Sequence, residues 1–436
     1  MIRKKRMSKG IAKILSGLLV FGMVAGLVPA VPGGTVHAKA EGESEPGVTA
    51  EQSEENVPHT HCECGTGELS AGGHTYHHTT QTWTGIDDLS KITKKGEYYL
   101  TKDITINSVW ECPSGVELCL NGHSITRNTE ASDGSFGGNA VIRINENTSF
   151  ALTDCQKTVG TITHAEGVSG EGVYNAGFFI MYNGKISGNN SSGVETRSLF
   201  EMYDGMICDN KTSYSGGGVY VSDSGEYEYN FEMYGGEISD NEAKDGAGVF
   251  ILGKKVAMNG GIISRNKSTN DGGGVYNYGG TFEMSGGEIS NNTTINFGGG
   301  VFNKKGIFTM SDGTTISGNK AMYGGGVFKE RGTFTMSGGT ITGNESAGMS
   351  ANASGGGVYN DADEFNMSGG TITQNKSQYN GGGVYNKNGT FEMSGGAITD
   401  NETKRFGGGV YNALTTTINM SGTAEISNNK ATTRVG

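Results

Sequence analysis

Seven residues with metal-binding side chains fall within a short stretch near the N-terminus: His59, His61, Cys62, Cys64, His74, His77 and His78. Zinc takes four nitrogen or sulfur ligands in a tetrahedron, and a small segment with no core of its own can be held together by one ion. A structural zinc is therefore one expectation for this stretch. The Cys-x-Cys spacing is tighter than the usual Cys-x-x-Cys, and in an exported chain the two thiols could oxidise instead. A third reading gives the segment no special role. Nothing beside it suggests a substrate cavity, which argues against a catalytic zinc. Four further cysteines, Cys112, Cys119, Cys155 and Cys208, are scattered. Cys119 and Cys155 read as small core residues, and Cys112 could pair with Cys119 across a turn.

A second set of residues could bind rather than react. Tyr220, Phe250, Tyr276, Phe302, Phe328, Tyr359, Tyr385 and Tyr411 each follow a valine in a recurring G-V-(Y/F) motif. If the valines face inward, the rings face outward as one ribbon. Such rings can stack on sugar faces, or simply on one another. Acid–base chemistry would need clustered carboxylates. Asp271, Asp312, Asp361, Asp363 and Asp400 are instead spread over separate turns. NGHSIT (121–126) lacks the acidic and basic partners of a hydrolase motif.

The elements that position these residues come from a repeat. The motif valines, Val219 to Val410, recur mostly every 26 residues, and so do the methionines from Met233 to Met420. A period sustained this long marks a solenoid. Within one period, Phe282 and Met284 alternate with Glu283, Ile289 sits between Glu288 and Ser290, and Val275-Tyr276-Asn277 makes a third short run. Glycine-rich turns separate them. Three short strands per coil of about 26 residues predict an all-β chain, a right-handed parallel β-helix whose strands pair one coil to the next at about 4.8 Å. Like residues then stack in ladders of Phe, Met and Ile. Asn292, Asn319, Asn344, Asn375, Asn401 and Asn429, three places after each isoleucine, are expected to form an asparagine ladder. Earlier coils are degenerate. About twelve coils would make a rod of about 55–60 Å.

Composition fits this reading. The chain has 436 residues with 76 Gly and 5 Pro, and the last proline is Pro113. Long proline-free sequence suits uninterrupted strand stacking. The organisation expected is a signal peptide over residues 1–40, an acidic linker over 41–58, a small His/Cys-rich segment over 59–96, and the β-helix over 97–436. Its coils are degenerate over 97–210 and regular over 211–436. The leader is basic, then apolar, and ends in a small-x-small site at Ala38-Lys39-Ala40. It holds seven Lys/Arg and no acidic residue, so its removal changes the formal charge from −12 to −19. That balance argues against nucleic acid and anionic membranes as partners. No cysteine follows the apolar run closely enough for a lipid anchor. With no terminal apolar segment or sorting motif, the chain is expected to be released, or to be a shortened version of a longer one.

The segments HTHCECG, GHTYH, GEYYLTKDITI, ELCLNGHSIT and LTDCQKTVGTITH, followed by serial GGGVYN…GTFEMSGG…ISNN, resemble the large exported β-helix proteins of Gram-positive gut bacteria. The repeats are also similar to those of polymorphic outer-membrane adhesins. The resemblance covers about residues 59–436 and implies a right-handed β-helix. It implies adhesion only by analogy of fold. The expected role is a non-catalytic secreted or cell-surface scaffold, adhesin-like, touching glycans or host surface proteins along an elongated face. Membrane insertion after leader removal is not expected. Two alternatives stand beside it: a polysaccharide lyase or glycoside hydrolase of the β-helix type, and a purely structural spacer.

Overall fold

The computed structural model describes residues 83–130, 137–222, 230–347, 353–414 and 416–432. All of them belong to one compact unit, Asn56–Gly436. The leader, the linker and the His/Cys cluster His59, His61, Cys62, Cys64, His74, His77 and His78 lie outside the described residues.

The chain winds as a parallel β-helix. Three long parallel sheets hold 14, 12 and 13 strands, and in each the neighbour of a strand is its counterpart in the next coil. The 14-stranded sheet carries the phenylalanines and methionines, the 12-stranded sheet the motif valines, and the 13-stranded sheet the isoleucines. The first strand, Thr84–Ile86, already belongs to the 14-stranded sheet. A turn of 3-10 helix, Leu89–Lys91, is capped by the Asp88 carboxylate, and its Leu89 joins the core at that end.

One apolar core runs through the coil interiors. Residues on opposite sides of a coil face it by simple alternation: Phe282 and Met284 are buried while Glu283 between them is half-exposed. The rings then stack in register. Phe308, Phe334, Phe365 and Phe391 follow one another at 4.7 Å between ring centres, with planes within 8°.

The regular coils add a fourth, eight-stranded sheet that begins at Glu242–Asp245. Its strands are two to five residues long, as in Lys267–Asp271 and Lys320–Ala321. Small residues, among them Ala243, Ser268, Ala321 and Ser346, fill its inward positions. Such short polar runs carry no visible hydrophobic alternation, which is why the sequence predicts three sides only.

The asparagine ladder is continuous from Asn189 to Asn429. At each rung the backbone N–H and the side-chain amide of one Asn both donate to the Oδ1 of the next. Asn292 does so to Asn319 at 2.9 and 3.0 Å, and Asn319 to Asn344 at 2.9 and 3.0 Å. The second amide hydrogen goes to an isoleucine carbonyl, Ile263 in the case of Asn292, at 2.8 Å. The corner residue before each rung needs a left-handed backbone. At most rungs it is a residue type that tolerates it, as in Asn291 (φ 55°), Gly318 (φ 62°) and Asp400 (φ 57°), while Arg265 (φ 54°) and Gln374 (φ 55°) hold the same conformation at two. Below the ladder, His164 takes its place, with Nδ1 2.8 Å from Asn189 Oδ1 and Nε2 2.8 Å from the Asn139 carbonyl.

Candidate functional site

The G-V-(Y/F) strand decides where the candidate rings point. Val275 and Asn277 face the coil interior and are fully buried. Tyr276 between them must therefore leave the core on the other face of the sheet. The same holds in the coils above and below, so the rings form a column outside the core. Tyr276 and Phe302 lie 4.6 Å apart, Phe328 and Tyr359 4.6 Å, and Tyr359 and Tyr385 4.7 Å.

The column differs from the open ribbon expected of it. Tyr276, Phe302, Phe328 and Tyr359 are buried and make a second apolar cluster, against which Phe250, Phe297, Tyr323 and Tyr385 pack. Phe297 and Tyr323 come from the position just before each glycine triplet and fold over the rings. Lysine stems close the rest, with Lys304 Nζ 5.6 Å above Phe302 and Lys387 Nζ 6.0 Å above Tyr359. Only Tyr220, Phe250, Tyr385 and Tyr411, toward the ends, stay half-exposed. Two of these pairs stack with parallel planes, Tyr220 on Phe250 at 5.4 Å and Tyr385 on Tyr411 at 5.3 Å. Each ring thus uses its flat face on a neighbour. Burial pushes the phenols of Tyr276 and Tyr359 well above their ordinary range. The aromatic before the glycines, visible as NFGGG and MYGGG, is the signal that marks this cover.

Lys329 occupies the inward position that Asn303 and Asn360 hold in the adjacent coils. Its side chain is fully buried. The ammonium donates to the carbonyls of Gly332, Ala362 and Glu364, at 3.1 Å for Gly332 and 3.2 Å for Glu364. Burial pushes its pKa down to about 8, against the pull of the carboxylates of Asp363, Asp361 and Glu364. A lysine in an inward row is thus accommodated, and the motif valines still face in.

One pair of carboxylates is closer than the sequence suggests. Stacking brings Asp245 beside Asp271, and Asn270 Nδ2 donates to both, at 2.7 and 3.1 Å. Asp271 is 8% exposed, and its Oδ1 is buried without a hydrogen-bond partner. Burial and the Asp245 charge raise its carboxyl to about 6. Asp361 instead pairs with Lys387 at 3.1 Å.

A regular hydroxyl-bearing surface lies on the outer face of the isoleucine sheet in the C-terminal coils. There Thr315, Thr340 and Thr371 pair in one row, and Ser317, Thr342, Thr373 and Thr399 in a second. All seven are half-exposed. The inward isoleucine between the rows fixes both hydroxyls outward.

Cys112 does not meet Cys119. The Cys112 thiol donates to the Pro113 carbonyl at 3.2 Å, and the thiol of Cys119 meets Cys155 at 3.5 Å. Among the described residues no helix is long and apolar enough to cross a membrane. No protein-family model, curated protein or solved structure matches the chain.

Proposed function

We propose that the chain is a non-catalytic scaffold of the cell exterior that binds a neutral, extended glycan along the hydroxyl face of its C-terminal coils. The observation that supports this reading most is the register of the two hydroxyl rows from Thr315 to Thr399. Hydroxyls both donate and accept. Here they recur at about 4.8 Å along the axis and about 7 Å across the strand, on strands paired in parallel register. A polymer with its own repeating hydroxyls can meet many of them at once, so individually weak contacts add. The formal charge of −12 disfavours an anionic polymer. The aromatic column contributes rigidity, because its ring faces are already used. The exterior location rests on the basic-then-apolar leader.

A polysaccharide hydrolase is the second reading, and the Asp245–Asp271 pair is the observation that favours it. A carboxyl raised to about 6 by burial and a second carboxyl beside it is an arrangement a general acid can use. Its burial under Asn270 and the aromatic column leaves little room for a sugar ring.

Depletion of the full chain from solution by insoluble neutral polysaccharides and by mucin tests the binding reading. Thr340→Glu with Thr371→Glu is expected to reduce depletion at least tenfold while leaving the fold's circular dichroism intact. Unchanged depletion by that variant would move the site elsewhere.

A further inference from the structure

The N-terminal coils lack the asparagine ladder, which begins at Asn189. A different device sits in one of their corners. Cys119 ends a strand of the 14-stranded sheet and pairs in register with Thr153 in the next coil. Cys155 lies two residues further along that coil, and the two sulfurs are 3.5 Å apart. Cys119 is fully buried and Cys155 is half-exposed. A shallow cavity of about 540 Å³, lined by Asn121, Gly122, Cys155 and Gln156, opens onto the second thiol.

We infer that Cys119 and Cys155 are an oxidation site and close an intramolecular disulfide that ties adjacent coils. A disulfide needs about 2.05 Å between sulfurs, so the thiols must approach by about 1.5 Å, a small side-chain adjustment. The oxidant is a small disulfide such as oxidised glutathione, reaching Cys155 through the cavity. The Cys155 thiolate attacks one sulfur of the donor and releases the first donor thiol. Cys119 then attacks the Cys155 sulfur of the mixed disulfide, and its proton leaves with the second donor thiol. Two protein thiols are oxidised and one donor disulfide is reduced to two thiols.

Asp154 makes a metal the weaker occupant. Its carboxylate lies within 4.8 Å of both sulfurs, which gives three ligand atoms in one place. Both oxygens are already committed, however. They accept from the backbone N–H groups of Gly122 at 3.1 Å, Gln156 at 2.9 Å and Gly160 at 2.6 Å. Two thiolates alone fall short of a closed zinc site. The cross-link would join residues 36 apart in sequence, around the corner that Asp154 organises.

The test uses the full chain, incubated with oxidised glutathione, unfolded in an alkylating agent and digested without reduction. Mass spectrometry is expected to find the Cys119 and Cys155 peptides joined and lighter by two hydrogens, with Cys112 and Cys208 alkylated. Reduction is expected to lower the melting temperature by about 5 °C. Cys155→Ser should melt with the reduced chain and ignore the oxidant. Recovery of both cysteines as alkylated thiols, or of Cys119 joined to any other cysteine, overturns the inference. So does zinc alone protecting both thiols from alkylation with no cross-link formed. If Cys155→Ser fails to fold, the peptide map and the reduction of the unaltered chain still decide.

Discussion

At the scale of single residues, two buried ionisable groups stand among the regular coils, Asp271 and Lys329, and each has a pH signature. Asp271 has a raised carboxyl, so between about pH 4 and 6 the folded chain binds more protons than the unfolded one. Stability at this group is fullest below the unfolded value and falls as pH rises through about 6. Asp271→Asn is therefore expected to raise the melting temperature at pH 7.5 and to change little at pH 4. The gain should be on the order of 2 kcal/mol, checked by denaturant unfolding at both pH values. Lys329 runs the other way. Its lowered pKa means that the unfolded chain holds the extra proton between about pH 8 and 10.5, so stability rises with pH in that window. Lys329→Asn restores the side chain found in neighbouring coils and offers Asn360 Oδ1, which is buried without a partner, a donor. That variant is expected to melt higher than the parent at pH 7, with the difference shrinking toward pH 10.5. A difference that grows with pH would contradict the assignment.

At the scale of the coil, the asparagine ladder and the glycine triplet set the geometry together. A Cβ on Gly300 would lie 2.7 Å from the Gly326 carbonyl, 2.9 Å from Ile316 Cγ2 and 3.0 Å from the Asn319 amide. The third glycine is thus required by close approach, and the first, Gly298 at φ 67°, by backbone conformation. Asn319→Ala removes the acceptor of two bonds from Asn292 and both donors to Ile289 and Asn344. It is expected to cost about 2–4 kcal/mol and to speed amide exchange in the coils on either side first. Most of this was legible in the sequence. Valine, phenylalanine, methionine, isoleucine and asparagine each recur at a fixed offset, and a residue that stacks on itself announces its row. The fourth sheet was not legible, because Lys320–Ala321 and its counterparts are too short and too polar to show alternation. The cover over the rings was missed because Phe297 and Tyr323 lie outside the strand that carries Phe302 and Phe328. The Asp245–Asp271 and Cys119–Cys155 neighbours join residues one coil apart, and only the exact register of two dissimilar coils brings them together.

At the scale of the whole β-helix, the stacked sheets give the coils sides that differ in chemistry. One side hides its aromatics, another presents threonine and serine, and the net charge is acidic. On the proposed reading, affinity would come from the length of the coil face rather than from a deep cavity. The proposed binding face lies in the regular coils, and the cysteine corner lies in the irregular ones. Oxidation of Cys119 and Cys155 should therefore change stability and leave glycan depletion unaltered.

The most direct measurement incubates the full chain with neutral polysaccharides and mucin, and follows both the protein left in solution and the soluble sugars by mass spectrometry. The protein is expected to be depleted with no new oligosaccharide appearing, and Thr340→Glu with Thr371→Glu is expected to reduce the depletion at least tenfold while Asp271→Asn is not. New oligosaccharides that disappear with Asp271→Asn would contradict the binding reading and assign the chain to the hydrolases.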